Sequence, residues 1–238
     1  MNARPASNHL LKPSLVEIPE APAAGGNLPD RIYSHLKRCI LSGKIAPGEH
    51  LLEKALCDAL KVSRTPLREA LNRLGNEDLV IFRPHCGFIV APISSEGFRR
   101  LLDLRIIIES KVAVLACMRA GPADIEALRN AAVMPALDGG EKSFIDFCQA
   151  NARFHLLLVR ATGNNLLENI VMSALDQYQR PAYLGIGRVT DHEKATRCHL
   201  DLVEALEARE ALKAESVMSH HVLGGFERII RALVEAGL

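Results

Sequence analysis

No uncharged apolar stretch in the sequence approaches the roughly 18 to 20 residues needed to cross a bilayer, so a chain anchored by a membrane helix is not expected. The first 27 residues, MNARPASNHLLKPSLVEIPEAPAAGGN, lack the apolar segment of a signal peptide, and their mixture of Pro, Ala, Gly and Ser reads as a flexible tail. An excess of one charge is also missing. With 29 Lys and Arg against 28 Asp and Glu the net charge is +1, so any basic surface for a polyanion must be local. The six cysteines (Cys39, Cys57, Cys86, Cys117, Cys148 and Cys198) form no C-x-x-C pair and no short disulfide framework, which fits a reducing cytoplasm. No fixed-period repeat is present, which argues against a solenoid.

What is there divides in two. At 238 residues and 48% hydrophobic composition the chain can bury a substantial core. Residues 28–92 change pattern quickly: short helical stretches, a turn at Pro47-Gly48, then β-rich LVIF and FIV flanking RPHCG. Residues 93–238 are rich in Leu, Ala, Glu and Arg and are broken at Gly121-Pro122, Gly139-Gly140, Thr162-Gly163-Asn164 and Gly185 to Gly187, giving six or seven helices. The fold class is mainly α, a small mixed domain followed by an all-α bundle. Residues 28–92 hold ten Lys/Arg against seven Asp/Glu, and 93–238 hold seventeen against nineteen. The small half is the basic one.

Within KALCDALKVSRTPLREALNRL (residues 54–74), Leu56, Ala59 and Leu60 form one short apolar stripe and Lys61-Val62 a turn. Ser63 is a good N-cap for a second helix that carries Leu67, Ala70, Leu71 and Leu74 at helical spacing. Pro66 falls in the first turn, where its missing N–H costs nothing. That is a helix-turn-helix pattern. With the leucines turned inward, Arg64, Thr65, Arg68 and Asn72 face outward, where guanidinium groups can pair bidentately with guanine and hydroxyls or the helix N-terminus can bind phosphate. LVIFRPHCGFIV then reads as a two-stranded wing that places Arg83, His85 and Gly87 near a DNA backbone or minor groove.

The stretch GKIAPGEHLLEKALCDALKVSRTPLREALNRL resembles the winged-helix signature of GntR-type bacterial transcriptional regulators. The resemblance implies Lys54, Arg64, Thr65 and Arg68 as DNA contacts, with Gly87 at the wing tip, and the helix and wing patterns add Ser63, Pro66, Asn72 and His85 to the expected DNA-binding set. The family usually carries Gly where Lys61 and Asp78 stand and Arg where Cys86 stands. The remainder resembles the all-helical FCD effector domain of the FadR subgroup, through LRIIIES, NARFHLLLVRATGNNLL and CHLDLVEALEAREALKAESVMSHHV.

Asn151 and His155 are an i, i+4 pair and so share one helical face. His199 and His221 would lie roughly 33 Å apart on an unbroken helix, but side by side if the chain reverses near Glu210. EALEAREALKA has no Gly or Pro to force that turn, and the reversal is implied by the resemblance. Many members of the subgroup bind a divalent metal with one Asp and three His, and by position the ligands here would be Asn151, His155, His199 and His221, with His220 a competitor for the last place. Asn151 stands where the family has Asp and brings no charge, so the site would depend more on a bound anion. Such ligands suit Zn²⁺ first, with Ni²⁺ or another transition metal as alternatives.

Arg105 interrupts an apolar run. It is either a salt-bridge partner of Asp103 or Glu109 or, beside a metal, a binding group for a carboxylate effector. The resulting expectation is a cytoplasmic, homodimeric regulator, not an enzyme, that binds a palindromic double-stranded DNA operator, commonly as a repressor, and senses a small carboxylate. The alternatives are a metal-dependent hydrolase or lyase using the three histidines, and a metal-free regulator whose helical half is purely structural.

Overall fold

A computed structural model describes residues 27–138, 140–183, 191–235 and 237–238. Most of the tail at 1–27 and the expected break at Gly185 to Gly187 lie outside the described residues. The described residues form nine helices and one three-stranded sheet, and the chain divides into two compact units between Pro92 and Ile93.

In the first unit, α1 (Leu28–Leu41) starts at Asn27, whose side chain accepts from the Asp30 amide at 3.0 Å. Its buried residues Ile32, Leu36, Cys39 and Ile40 recur at helical spacing and share a core with Leu56 and Leu60 of α2 (Glu53–Leu60) and Leu67, Leu71 and Leu74 of α3 (Arg64–Asn76). The wing has one more strand than its sequence suggests. β2 (Val80–Arg83) and β3 (Gly87–Val90) pair antiparallel, Arg83 opposite Gly87, and β1 (His50–Leu51) adds to the far side of β3, giving the order β1-β3-β2. The extra strand is too short to leave a period-2 signal.

Two departures from the family signature fall where the backbone is left-handed. Lys61 (φ 53°) ends α2, and Asp78 (φ 56°) follows α3. Glycine takes this conformation freely, whereas an L side chain there costs on the order of 1 kcal/mol. The turns form nonetheless, because Leu60 before Lys61 and Leu79 after Asp78 are anchored in the core.

The second unit holds α4 (Ser95–Arg119), α5 (Pro122–Ala131), α6 (Glu141–Arg160), α7 (Asn165–Tyr183), α8 (His192–Glu207) and α9 (Ala211–Glu235). Helices α4 and α9 run antiparallel along one another, the Ser95 amide reaching the Leu238 carbonyl at 3.2 Å. The core between these helices centres on Phe98, Phe154, Leu202, Met218 and Phe226.

The reversal between α8 and α9 occurs without glycine. Arg209 takes φ 57°, its amide bonds the Leu206 carbonyl at 3.2 Å, and the Glu210 amide bonds the Ala205 carbonyl at 2.9 Å, the paired bonds that close a helix end. What lets an arginine stand there is its side chain, which donates to the carbonyls of Cys117 (2.6 Å) and Ala120 (2.8 Å) at the end of α4. Charge-assisted bonds of this kind contribute about 1.5–3 kcal/mol each before the cost of ordering the side chain. Arg209→Ala is therefore expected to lower stability by about 2 kcal/mol in urea unfolding. Arg209→Gly should lose roughly 1 kcal/mol less, because it relieves the positive φ. An unchanged midpoint in Arg209→Ala would show that the clamp contributes nothing.

Candidate functional site

Helix α3 presents one polar face. Leu67, Ala70, Leu71 and Leu74 are buried, while Arg64, Thr65, Arg68 and Asn72 are exposed. Ser63 occupies the N-cap position with extended backbone, but its hydroxyl makes no capping bond, and so it is available, with the first-turn amides, to an anion. Pro66 is half-buried in that turn, and Lys54 is exposed on α2. His85 (φ 64°) and Gly87 (φ 76°) shape the wing turn, His85 exposed at its tip. Sequence reading missed Glu53. Its carboxylate lies 3.1 Å from Arg68 Nε, and an exposed pair of this kind, worth about 0.2–1 kcal/mol, restrains the guanidinium without withholding it.

In the helical unit the reversal at Arg209 brings His199 of α8 and His221 of α9 together, and α6 adds His155. His155 Nε2 lies 3.1 Å from His221 Nε2, and His199 Nε2 lies 3.2 Å from the same atom. One nitrogen from each ring falls within 4.8 Å of the others. His220 is outside this trio: it is exposed and its ring bonds the Ser216 carbonyl. Asn151 is buried one turn before His155 and lines the same cavity.

The partner of the His155 ring sets its tautomer. His155 Nδ1 faces the Glu109 carboxylate, so Nδ1 carries the proton and Nε2 offers a lone pair. His199 Nδ1 is buried and makes no hydrogen bond among the described residues, so no partner there sets the tautomer of that ring. Burial, with His155 beside it, holds the His199 pKa well below the ordinary histidine value, so the ring is neutral. Phe154 stacks on it at 3.8 Å between centroids. Burial would raise the Glu109 carboxyl, but Arg105 and His155 reverse this and hold it at about 2.

The His155 lone pair therefore meets two further ring nitrogens, His221 Nε2 and, beyond it, His199 Nε2. A cation satisfies all three. Imidazole ligands at about 2.0–2.1 Å around a tetrahedral ion have nitrogens roughly 3.3 Å apart, close to two of the three spacings, 3.1 and 3.2 Å, while the third pair lies within 4.8 Å. The donor set fits a borderline divalent ion held by His155, His199 and His221.

Arg105 is a partner of Glu109, not of Asp103: its Nε and Nη2 both reach that carboxylate. Its guanidinium stacks over Tyr178 at 4.7 Å. The cavity beside the histidines, about 50 Å³ among the described residues, is lined by Arg105, Asn151, Tyr178, Lys194 and Cys198 as well as His155 and His221. Lys194 and Tyr178 leave no signal in the sequence pattern, because their place depends on how α7 and α8 pack.

Comparison with known proteins agrees with both halves. Residues 28–90 match the family model described as bacterial regulatory proteins, gntR family, and residues 100–224 match that of the FCD domain. The chain is 30% identical to the Nta operon transcriptional regulator of Aminobacter aminovorans over 188 residues, 79% of this chain and 87% of that one. It is also 30% identical to the HTH-type transcriptional repressor RspR of Escherichia coli K12 over 192 residues, 81% of this chain and 84% of that one. Among solved structures, E. coli McbR/YncC superposes with a TM-score of 0.65 at 18% identity, covering 90% of this chain and all of the other. A GntR regulator from Rhodococcus sp. RHA1 gives 0.65 at 20% identity, covering 86% and 98%.

Proposed function

The chain belongs to the gntR family of bacterial regulatory proteins and carries an FCD domain, a family of DNA-binding transcriptional regulators and not of enzymes; on that premise we propose a cytoplasmic, FadR-type repressor. It binds a palindromic operator as a homodimer and answers to a small carboxylate held at a metal. The division of labour places DNA reading in residues 28–92 and sensing in 93–238. RspR of E. coli is named a repressor, which supports the sign of the control.

The observation that carries the sensing half is the convergence of His155, His199 and His221 with one ring nitrogen of each turned inward. The amide oxygen of Asn151 is the fourth candidate donor, and Zn²⁺ fits first, with Ni²⁺ or a related ion as alternatives. A bound divalent ion supplies a Lewis-acidic contact for a carboxylate. Lys194, Tyr178 and the remaining donors of Arg105 offer contacts to the rest of the ligand. Cavities for drug-sized ligands measure about 300–1,000 Å³. One of about 50 Å³ suits an anion of a few heavy atoms, such as a short hydroxy acid, and not an acyl-CoA.

A second copy has an obvious seat in the helical unit. Leu104, Ile107 and Met118, 41%, 65% and 62% exposed, share one stripe of α4 with Lys111, an apolar face that a monomer would leave wet.

The test uses operator DNA selected from random sequence. The protein is assayed for stoichiometric metal, then for operator binding against a panel of short carboxylates with and without EDTA. At least one carboxylate should change operator affinity by about 5- to 150-fold, and only in the metal-loaded protein. Protein without stoichiometric metal, and indifferent to the panel, would remove the sensing half of the proposal.

A further inference from the structure

We propose that Glu109 is the positioning residue of the histidine centre, fixing through His155 which ring nitrogen is offered to a cation. The proposal rests on the reading that the three histidines hold a divalent ion. Glu109 lies on α4 and His155 on α6, 46 residues apart in sequence, and no local rule connects them.

Both side chains are essentially out of water, His155 at 0% and Glu109 at 3% exposure. A buried carboxylate needs compensation. Arg105, one helical turn earlier on α4, provides it by gripping both oxygens, Nε on one and Nη2 on the other at 3.2 Å. Arg105 is itself fixed against the rings of Tyr178 and Phe226 at 4.7 and 5.5 Å. The chain of contacts runs from two aromatic rings through a guanidinium and a carboxylate to one imidazole nitrogen. Its outcome is an Nδ1–H that donates to Glu109 and an Nε2 lone pair aimed at His221.

Partners of this kind set tautomer and ring orientation, and they raise the basicity of the ligating nitrogen. Here the effect has added weight, because Asn151 brings no charge. Glu109 supplies its carboxylate one hydrogen bond further out. Arg105 offsets part of that charge, so a bound ion keeps charge for an incoming anion. Arg105 thus serves the histidine first, and an effector meets only the donors it has left.

The chemistry of glutamine makes the test specific. In Glu109→Gln one carboxamide oxygen is left for the three donors that share the two carboxylate oxygens, Arg105 Nε on one and Arg105 Nη2 with His155 Nδ1 on the other. Arg105 therefore competes with His155 for it, and wherever Arg105 Nε holds it the NH₂ group faces His155 and imposes the wrong tautomer. In Arg105→Met/Glu109→Gln that demand is gone and the oxygen can turn to His155. Zn²⁺ affinity is measured on the full chain by chelator competition, and Co²⁺ visible absorption reports the ligand field. Glu109→Gln should bind Zn²⁺ about 10- to 100-fold more weakly than the wild type with altered Co²⁺ absorption, and the double variant should recover part of the loss. Equal affinity in both variants, whether near the wild-type value or equally weak, overturns the tautomer role. In histidine-¹⁵N-labelled wild type with Zn²⁺, His155 should show a protonated Nδ1. An unprotonated Nδ1 overturns the proposal whether or not the variants fold. Wild type that takes up no Zn²⁺ would instead bring down the metal reading itself.

Discussion

Arg64→Ala is expected to weaken binding to the selected operator by at least about thirtyfold at fixed salt, with the melting temperature unchanged. A bidentate base contact is worth about 1–3 kcal/mol, and a dimer reading two half-sites doubles that to roughly 2–6 kcal/mol. Stability should be untouched. Arg64 is exposed at the first position of α3 and has no ion pair among the described residues. Arg68→Ala should lose at least as much, because Glu53, now 3.1 Å from the guanidinium, would be left facing phosphate unpaired. Lys54→Ala should behave differently: taking one ammonium–phosphate pair out of each half-site weakens all sequences alike and lowers the salt slope by about 2. Operator affinity that survives both arginine substitutions would move the reading surface off α3. A chain that sediments as a monomer on its operator would remove the doubling.

Chelation is expected to lower the melting temperature of the metal-loaded chain by about 10 °C. A ligand present at a thousand times its Kd stabilises the folded state by about 4 kcal/mol, and each kcal/mol moves a unit of this size by roughly 2–4 °C. His221→Ala separates that effect from simple damage. His221 is half-buried on α9, and its loss leaves the Arg105–Glu109–His155 network whole, whereas His155→Ala would take one hydrogen-bond partner from the buried Glu109 carboxylate. The variant should melt near the metal-free wild type and ignore EDTA. An identical wild-type melt with and without EDTA, on protein shown to have been loaded, would mean that the histidines hold no ion in the folded state.

The DNA-reading half was legible because its signals are local. Leucines at helical spacing, Pro66 in the first turn and Ser63 before it define α3 within one run of residues. Its outward face follows from the same period. The third strand escaped because two residues carry no period. The bond absent from Ser63 escaped because a capping residue can be placed from sequence while the side-chain rotamer that positions its oxygen cannot.

The helical half was legible only in part. An i, i+4 spacing put Asn151 and His155 on one face, while for Arg105 the sequence left Asp103, Glu109 and a carboxylate effector all open as partners. That the Arg105–Glu109 pair ends on His155 depends on α4 packing against α6. The reversal that joins His199 to His221 depends on Arg209 reaching carbonyls 92 and 89 residues away. By itself the sequence determined the helices and the polar face of α3, since each is set by neighbours within a turn or two of chain, and its resemblance to the FCD domain named which histidines were candidates. Only the tertiary structure decided that three histidines meet, which nitrogens they turn inward and which carboxylate holds them, because those outcomes rest on hydrogen bonds between groups that share no local segment.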